Sequence, residues 1–110
     1  MIKNKSINKS REIAITKFSS KVNNLLKNNL VDILIYGSVA RGEAKIDSDI
    51  DVIVVVKRNA FKNQMKLAAI AFDVLLETGE YISVQTMKSK DLNRDTIFLH
   101  NVRREAIHAL

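Results

Sequence analysis

Residues 36–51 read YGSVARGEAKIDSDID and lie between two short apolar runs. The run before them, residues 33–35, is Ile-Leu-Ile, and the run after them, residues 52–56, is Val-Ile-Val-Val-Val. Short β-branched runs bounded by Gly, Asp or Ser are typical of buried strands. The sequence therefore predicts two strands joined by a segment that begins with a Gly-Ser pair and ends with Asp-x-Asp.

The Gly-Ser pair suits a phosphate group. Gly37 lets the backbone turn sharply and approach a ligand closely. Residues 38–41 can open a short helix, whose free N–H groups and positive dipole end favour phosphate. Ser38 adds a hydroxyl donor, and Arg41 adds a planar, permanently charged guanidinium. We therefore expect Gly37, Ser38 and Arg41 to bind the phosphates of a ligand.

Asp49 and Asp51 lie two residues apart at the start of the second run. Because side chains alternate along a strand, the two carboxylates point to the same face. Mg²⁺ binds one or two carboxylates and completes its octahedron with water and substrate phosphate oxygens. Ions of this kind stabilise the attacking and leaving oxygens of a displacement at phosphorus. We therefore predict that Asp49 and Asp51 are catalytic residues that bind Mg²⁺.

Length and composition indicate one globular domain, residues 1–110. The chain has no cysteine, which excludes disulfides and thiolate metal sites. No apolar run approaches the ~18 residues of a membrane span. The first residues do not have the pattern of a secretory signal. We expect a cytoplasmic protein.

The net charge of +6 is concentrated in the N-terminal segment. Residues 1–30 contain seven Lys or Arg and one acid, whereas the bases and acids of residues 31–110 balance. Such a segment is typical either of a solvated helix or of a basic arm that meets an anion such as nucleic acid. We favour the solvated helix, and we expect residues 1–10 to be flexible.

The remaining pattern alternates helices and strands. It predicts helices over residues 11–27, from residue 60 to Gly79 and from residue 97 onwards, and strands over residues 31–36, 50–57 and 81–88. This order favours a small sheet that carries helices. The expected buried face of the long second helix consists of Phe61, Met65, Ala68, Ala69, Phe72, Leu75 and Leu76, and the expected apolar positions of the last helix include Val102, Ala106, Ile107 and Leu110.

The Gly-Ser pair, ten residues and Asp-x-Asp together resemble the nucleotidyltransferase superfamily, and its minimal members above all. Residues 98–107 are also similar to the end of stand-alone minimal nucleotidyltransferases. The resemblance implies the polymerase-β-like fold, a small mixed α/β (α+β) sheet. It further implies transfer of a nucleotidyl group, commonly AMP from ATP, to a hydroxyl of a protein or small molecule. Minimal members often work beside a HEPN-domain protein, frequently as the antitoxin of a toxin–antitoxin pair.

The superfamily usually places a third carboxylate on the strand after the long helix, and residues 81–88 contain none. Glu77, near the end of that helix, is the nearest substitute, so we include it among the expected catalytic residues. Two functions stay open on the sequence. One is a Mg²⁺-dependent nucleotidyltransferase; the other is a nucleotide-binding module with weak activity that binds and silences a partner. The sequence also leaves a homo-oligomer open.

Overall fold

The computed structural model describes residues 7–110, and residues 1–6 of the expected flexible segment lie outside the described residues. Residues 7–10 are part of the fold, which corrects the expectation for them. Ile7 is buried in the core. The side chain of Asn8 accepts a hydrogen bond from the backbone N–H of Arg11 and so caps the first helix, α1 (Lys9–Leu26).

The expected mixed sheet with helices is confirmed. In chain order the further elements are β1 (Leu30–Tyr36), α2 (Gly37–Arg41), β2 (Ile50–Val56), α3 (Ala60–Thr78), β3 (Ile82–Lys88), α4 (Ile97–Glu105) and β4 (Ile107–His108). Their order in the sheet is β3-β2-β1-β4. Strand β3 is parallel to β2, whereas β2 and β4 are antiparallel to β1.

The two faces of the sheet are covered by different helices. On one face, α1 and α3 pack over the side chains of Ile50, Val52, Val54 and Val56 from β2. On the other face, Val102 of α4 packs on Leu34, Ile53 and Val55. Because strand side chains alternate, Asp51 belongs to the face that carries α4.

The last helix is shorter than expected. Ala106 has extended backbone angles, φ −64° and ψ 144°, so the helix ends at Glu105. Ile107 and His108 then pair with β1, and the N–H of Ala109 donates to the carbonyl of Ile33 at 2.8 Å. Ile107 and His108 therefore extend the sheet as β4 instead of continuing the helix.

The expected buried face of α3 is wrong. The sheet buries Leu67, Ala71 and Val74, whereas Phe61 is 96% exposed and Met65 is 79% exposed. The helix carries two apolar stripes, both at helical spacing, so periodicity could not decide between them. The stripe with the smaller side chains faces the sheet.

Helix α1 follows the sequence prediction closely. Of the apolar residues spaced by three or four along it, Leu25 is 42% exposed, and the others are buried, namely Ala14, Ile15, Phe18, Val22 and Leu26. None of the helices formed by residues 7–110 is long and apolar enough to cross a membrane.

Candidate functional site

The turn after β1 places Gly37 directly against the carboxylate of Asp51. Tyr36, the last residue of β1, is paired with Asp51 in the antiparallel register with β2. Gly37 has φ +76°, and an added Cβ would collide with Oδ2 of Asp51 and lie 3.2 Å from its Cγ. Glycine is therefore needed for the backbone angle and for the space that the carboxylate occupies.

Asp49 and Asp51 influence each other electrostatically. Asp49 lies in the exposed segment just before β2, and Asp51 is half-buried on the strand. Burial raises the pKa of Asp51, the negative charge of Asp49 raises it further, and the positive charge of Arg41 lowers it. The oxygens of two carboxylates that repel each other are suitable ligands for a hard divalent cation such as Mg²⁺.

Arg41 lies close enough to Asp51 to lower its pKa, and its guanidinium already forms hydrogen bonds with two glutamates. Its Nε donates to Oε1 of Glu43 at 2.8 Å, and its Nη1 donates to Oε2 of Glu105 at 3.2 Å. The hydrogen bond from Arg41 is the main reason why the pKa of Glu105 is lowered. Because 42% of its side chain is exposed, the guanidinium still presents charge to the site.

Ser38 is half-buried in the first turn of α2, and its carbonyl accepts the N–H of Glu43 at 2.9 Å. Gly42 then ends α2 with φ +74°. These contacts end α2 directly after Arg41. The structure thus brings together five of the six residues expected in the site, namely Gly37, Ser38, Arg41, Asp49 and Asp51.

A small cavity of about 160 Å³ opens beside this cluster, between α2 and α4. Its lining includes Tyr36, Arg41, Phe98 and Asn101. The rings of Tyr36 and Phe98 meet edge to face, with centroids 5.5 Å apart. The pKa of the Tyr36 hydroxyl is raised, mainly by burial and also by the charge of Asp51. Ligand pockets usually measure about 300–1,000 Å³, so this cavity can enclose only part of a nucleotide.

Larger hollows of about 660 and 730 Å³ lie at the other end of β2 and β3. Cationic side chains such as Lys57, Lys62 and Lys88 line them, and Asp91 is the one acid in their lining. They contain no carboxylate pair. We therefore place the site beside the smaller cavity, whose lining includes Gly37, the residue in contact with the carboxylate of Asp51.

The structure does not bring Glu77 to the aspartates. Its carboxylate lies 3.1 Å from Nζ of Lys21 and 3.5 Å from Nζ of Lys17. The hydrogen bond with Lys21 is the main reason why the pKa of Glu77 is lowered. Since α1 and α3 cover the face opposite to Asp51, these ion pairs hold Glu77 in the helical layer.

Strand β3 leaves the position beside Asp51 uncharged. Ser83 is paired with Asp51, and Gln85 is paired with Ile53, on the same face of the sheet. Among residues 7–110, no group of three or more His, Cys, Asp or Glu side chains is arranged to bind a metal ion. The described part of the site therefore offers two carboxylates and a neutral third position.

Sequence reasoning missed Arg11, which it counted among the solvated charges of the N-terminal segment. Its side chain is 7% exposed and reaches from α1 to the segment before Asp49. Its Nη2 donates to the carbonyl of Lys45 at 2.5 Å and more weakly to that of Ser48 at 3.4 Å. Arg11 is thus a positioning residue for the segment that carries Asp49. The one signal in the sequence is its place beside the apolar positions of α1.

Comparison with known proteins decides the family. The nucleotidyltransferase domain matches residues 15–105, which is most of the chain. The chain belongs to the nucleotidyltransferase domain family. It is also 32% identical, over 69 residues, to a protein of Methanocaldococcus jannaschii named "putative protein adenylyltransferase"; the match covers 56% of this chain and 70% of that protein.

Two solved structures share the fold of this nucleotidyltransferase domain. One is described as a toxin-antitoxin with AMP-PNP, with a TM-score of 0.59, 15% identity and coverage of 86% of this chain and 72% of the other. The second is described as a "putative nucleotidyltransferase" from Sulfolobus solfataricus, with a TM-score of 0.52, 20% identity and coverage of 98% and 89%. At these identities, the likeness concerns the fold.

We predict that Arg11→Met lowers the free energy of unfolding of the nucleotidyltransferase domain by about 1.5–3 kcal/mol, because hydrogen bonds from a charged donor are lost. Amide hydrogen exchange over residues 45–51 should accelerate in parallel. The control is Lys9→Met, since the side chain of Lys9 is 81% exposed. It should cost less than about 1 kcal/mol. Equal effects of the two variants in urea unfolding would contradict the role given to Arg11.

A second prediction follows from the raised pKa of Asp51. Folding favours its protonated form, so the ionised carboxylate destabilises the metal-free fold at neutral pH. This cost disappears as the pH falls below 3.8, the ordinary value. Asp51→Asn should therefore raise the melting temperature of metal-free protein at pH 7, and the gain should shrink towards pH 3.8. Exposed Asp95→Asn is the control, and a gain that is independent of pH would exclude this explanation.

Proposed function

We propose that this domain transfers an AMP group from ATP to a hydroxyl of a protein or small molecule, with Mg²⁺ held by Asp49 and Asp51. The observation that carries the proposal is the contact of the Gly37 turn with the carboxylate of Asp51. It joins a backbone turn suited to phosphate to a carboxylate pair suited to Mg²⁺. The adenylyltransferase name of the relative and the AMP-PNP in the description of the structural neighbour support the choice of nucleotide.

Each residue of the cluster has a proposed part in binding. Gly37 and Ser38 offer backbone N–H groups and a hydroxyl to the triphosphate, and Arg41 offers positive charge. When bound, Mg²⁺ supplies charge that stabilises the oxygens around the reacting phosphorus. In the reaction the acceptor oxygen bonds to the α-phosphorus, the bond to pyrophosphate breaks, and the acceptor hydroxyl loses its proton.

That proton needs an acceptor, and the described residues do not group a third carboxylate with Asp49 and Asp51. Glu105 lines the cavity, but its carboxylate is paired with Arg41. Glu77 is held by Lys17 and Lys21 in the helical layer, so we leave it out of the proposed site. The uncharged Ser83 occupies the position beside Asp51. We propose that the isolated chain binds Mg²⁺–ATP but transfers AMP slowly, and that a partner completes the site.

The size of the cavity favours such a partner. About 160 Å³ encloses only part of a nucleotide, so the remainder stays exposed to solvent unless a second surface covers it. We propose a HEPN-domain protein as this partner, in a toxin–antitoxin pair, and the toxin-antitoxin description of the structural neighbour agrees with it. The expected cytoplasmic location stays a prediction.

The second candidate function is a nucleotide-binding module that silences its partner without transferring AMP to it. The neutral position at Ser83 is the observation that favours this function. Labelled ATP distinguishes the two functions. An enzyme leaves label covalently attached to the partner, whereas a binding module leaves the partner unlabelled although it still forms a complex.

We predict that Asp49→Asn combined with Asp51→Asn weakens Mg²⁺-dependent ATP binding by more than about 100-fold, because the charge that holds the ion is removed while the shape is kept. Isothermal titration calorimetry with and without Mg²⁺ measures the effect. Asp47→Asn, in the same exposed segment, is the matched control and should bind as the original chain does. Unchanged affinity in the double variant would exclude these aspartates as the metal site.

Restoring a third carboxylate should increase transfer. Because Ser83 is the partner of Asp51 in the parallel register, Ser83→Asp places a carboxylate beside the pair. We expect single-turnover transfer from labelled ATP to a simple hydroxyl acceptor to rise at least about tenfold, since a positioned base contributes about 10²–10⁴-fold in enzymes. Ser83→Asn controls for size. Rapid transfer by the original chain, or equal rates for Asp and Asn, would refute the proposal of an incomplete site.

A further inference from the structure

Helix α3 carries a line of large apolar side chains on its solvent face. Phe61 is 96% exposed, Met65 79%, Phe72 55% and Leu76 70%. With the exposed Ala68 they are spaced by three or four residues, so they share one side of the helix. We call these five residues the outer stripe. It is about 22 Å long by helix rise. Contiguous exposed apolar surface of this kind marks an interaction site.

The edge strand beside the outer stripe is closed to strand pairing. The side-chain amide of Gln64 donates to the carbonyl of Val84 at 2.9 Å and accepts the N–H of Thr86 at 2.8 Å. A side chain of α3 thus occupies backbone groups of β3 that another strand would need. A partner at this surface therefore packs on α3 and does not add a strand to β3.

Together with the exposed Ala69, the outer stripe is symmetric about its centre. Counting outwards from Ala68 and Ala69, Met65 lies three residues before Ala68 and Phe72 lies three residues after Ala69. Phe61 and Leu76 lie seven residues out in the same way. An antiparallel second copy of α3, related by a two-fold axis at the alanines, therefore matches Met65 with Phe72 and Phe61 with Leu76. Small alanines at the crossing let the two helices approach closely.

The charges beside the outer stripe follow the same symmetry. Lys62 and Lys66 lie on one flank in the first half of α3, and Asp73 lies on that flank in the second half. The two-fold axis places this flank of one helix beside the same flank of the other. Asp73 of one copy then lies between Lys62 and Lys66 of the other, offset from each by about 3 Å along the helix axis. Within residues 7–110, these three side chains form no ion pair.

We propose that the domain forms an isologous dimer in which the outer stripes of two antiparallel α3 helices pack together. The apolar match supplies the buried surface, and the Asp73–lysine contacts fix the antiparallel direction. Because α3 covers the sheet face opposite to Asp51, both nucleotide sites stay open in the dimer. The outer stripe approaches the site at one point, where Ala68 and Phe72 line a cavity together with Ser83.

Charge reversal tests the proposed direction. Each contact occurs twice in a symmetric dimer. Asp73→Lys therefore places positive charge against Lys62 and Lys66 at both contacts. The double variant Lys62→Glu, Lys66→Glu places negative charge against Asp73 at both contacts. Each variant should be monomeric by sedimentation at concentrations where the original chain is dimeric. An equimolar mixture should form one-to-one heterodimers, because opposite charges then meet at both contacts. A mixture that stays monomeric, or variants that dimerise as the original chain does, would overturn the proposal.

Phe72→Gln tests the apolar contact. It should raise the dimer Kd at least about tenfold, because aromatic side chains at the centre of an interface contribute most to affinity. Since Phe72 is more than half exposed, the core is not emptied, and circular dichroism should confirm the fold. The control is Ile97→Gln on α4, where Ile97 is 85% exposed. A chain that is monomeric at millimolar concentration, or equal effects of the two variants, would overturn the dimer.

Discussion

The site depends on the contact between the Gly37 backbone and the carboxylate of Asp51. The antiparallel register pairs Tyr36, the last residue of β1, with Asp51. The turn that follows β1 therefore begins next to the carboxylate of Asp51. Any side chain at residue 37 would occupy the volume of Oδ2 and would also need an unfavourable φ. The strand register, the turn at Gly37 and the position of Asp51 therefore depend on one another. A shift of the β2 register by one residue would move the side chain of Asp51 to the opposite face of the sheet.

Arg11 extends this constraint to Asp49. Asp51 is fixed by β2, whereas Asp49 lies in the segment before the strand and needs another support. Arg11 supplies it from α1 through the carbonyls of Lys45 and Ser48. Its Nε lies 3.8 Å from Oε1 of Glu80, which keeps the buried charge near an acid. Because α1 packs on the sheet face opposite to Asp51, the geometry of the two aspartates depends on the packing of α1 on the sheet.

Much of this architecture could be predicted from sequence, because the decisive information was local. Strands β1 and β2 and the turn residues between them follow from short apolar runs, glycine and acid spacing. The buried face of α3 was wrong because both of its stripes satisfy helical periodicity, and only the sheet selects one. Strand β4 was missed because pairing with β1 overrides the helical pattern of residues 106–110. Arg11 could not be identified, since its acceptors are carbonyls more than 30 residues away.

The neutral position at Ser83 has an electrostatic consequence. Asp51 is already half-buried beside Asp49, and both burial and repulsion favour its protonated form. A third carboxylate on β3, about 5 Å from the strand of Asp51, would increase that repulsion in the metal-free fold. Keeping the position uncharged therefore stabilises the chain when no cation is bound, at the expense of a group that could accept a proton. In the proposed reaction a partner that covers the face of Asp51 supplies this group, so that transfer depends on assembly of the complex.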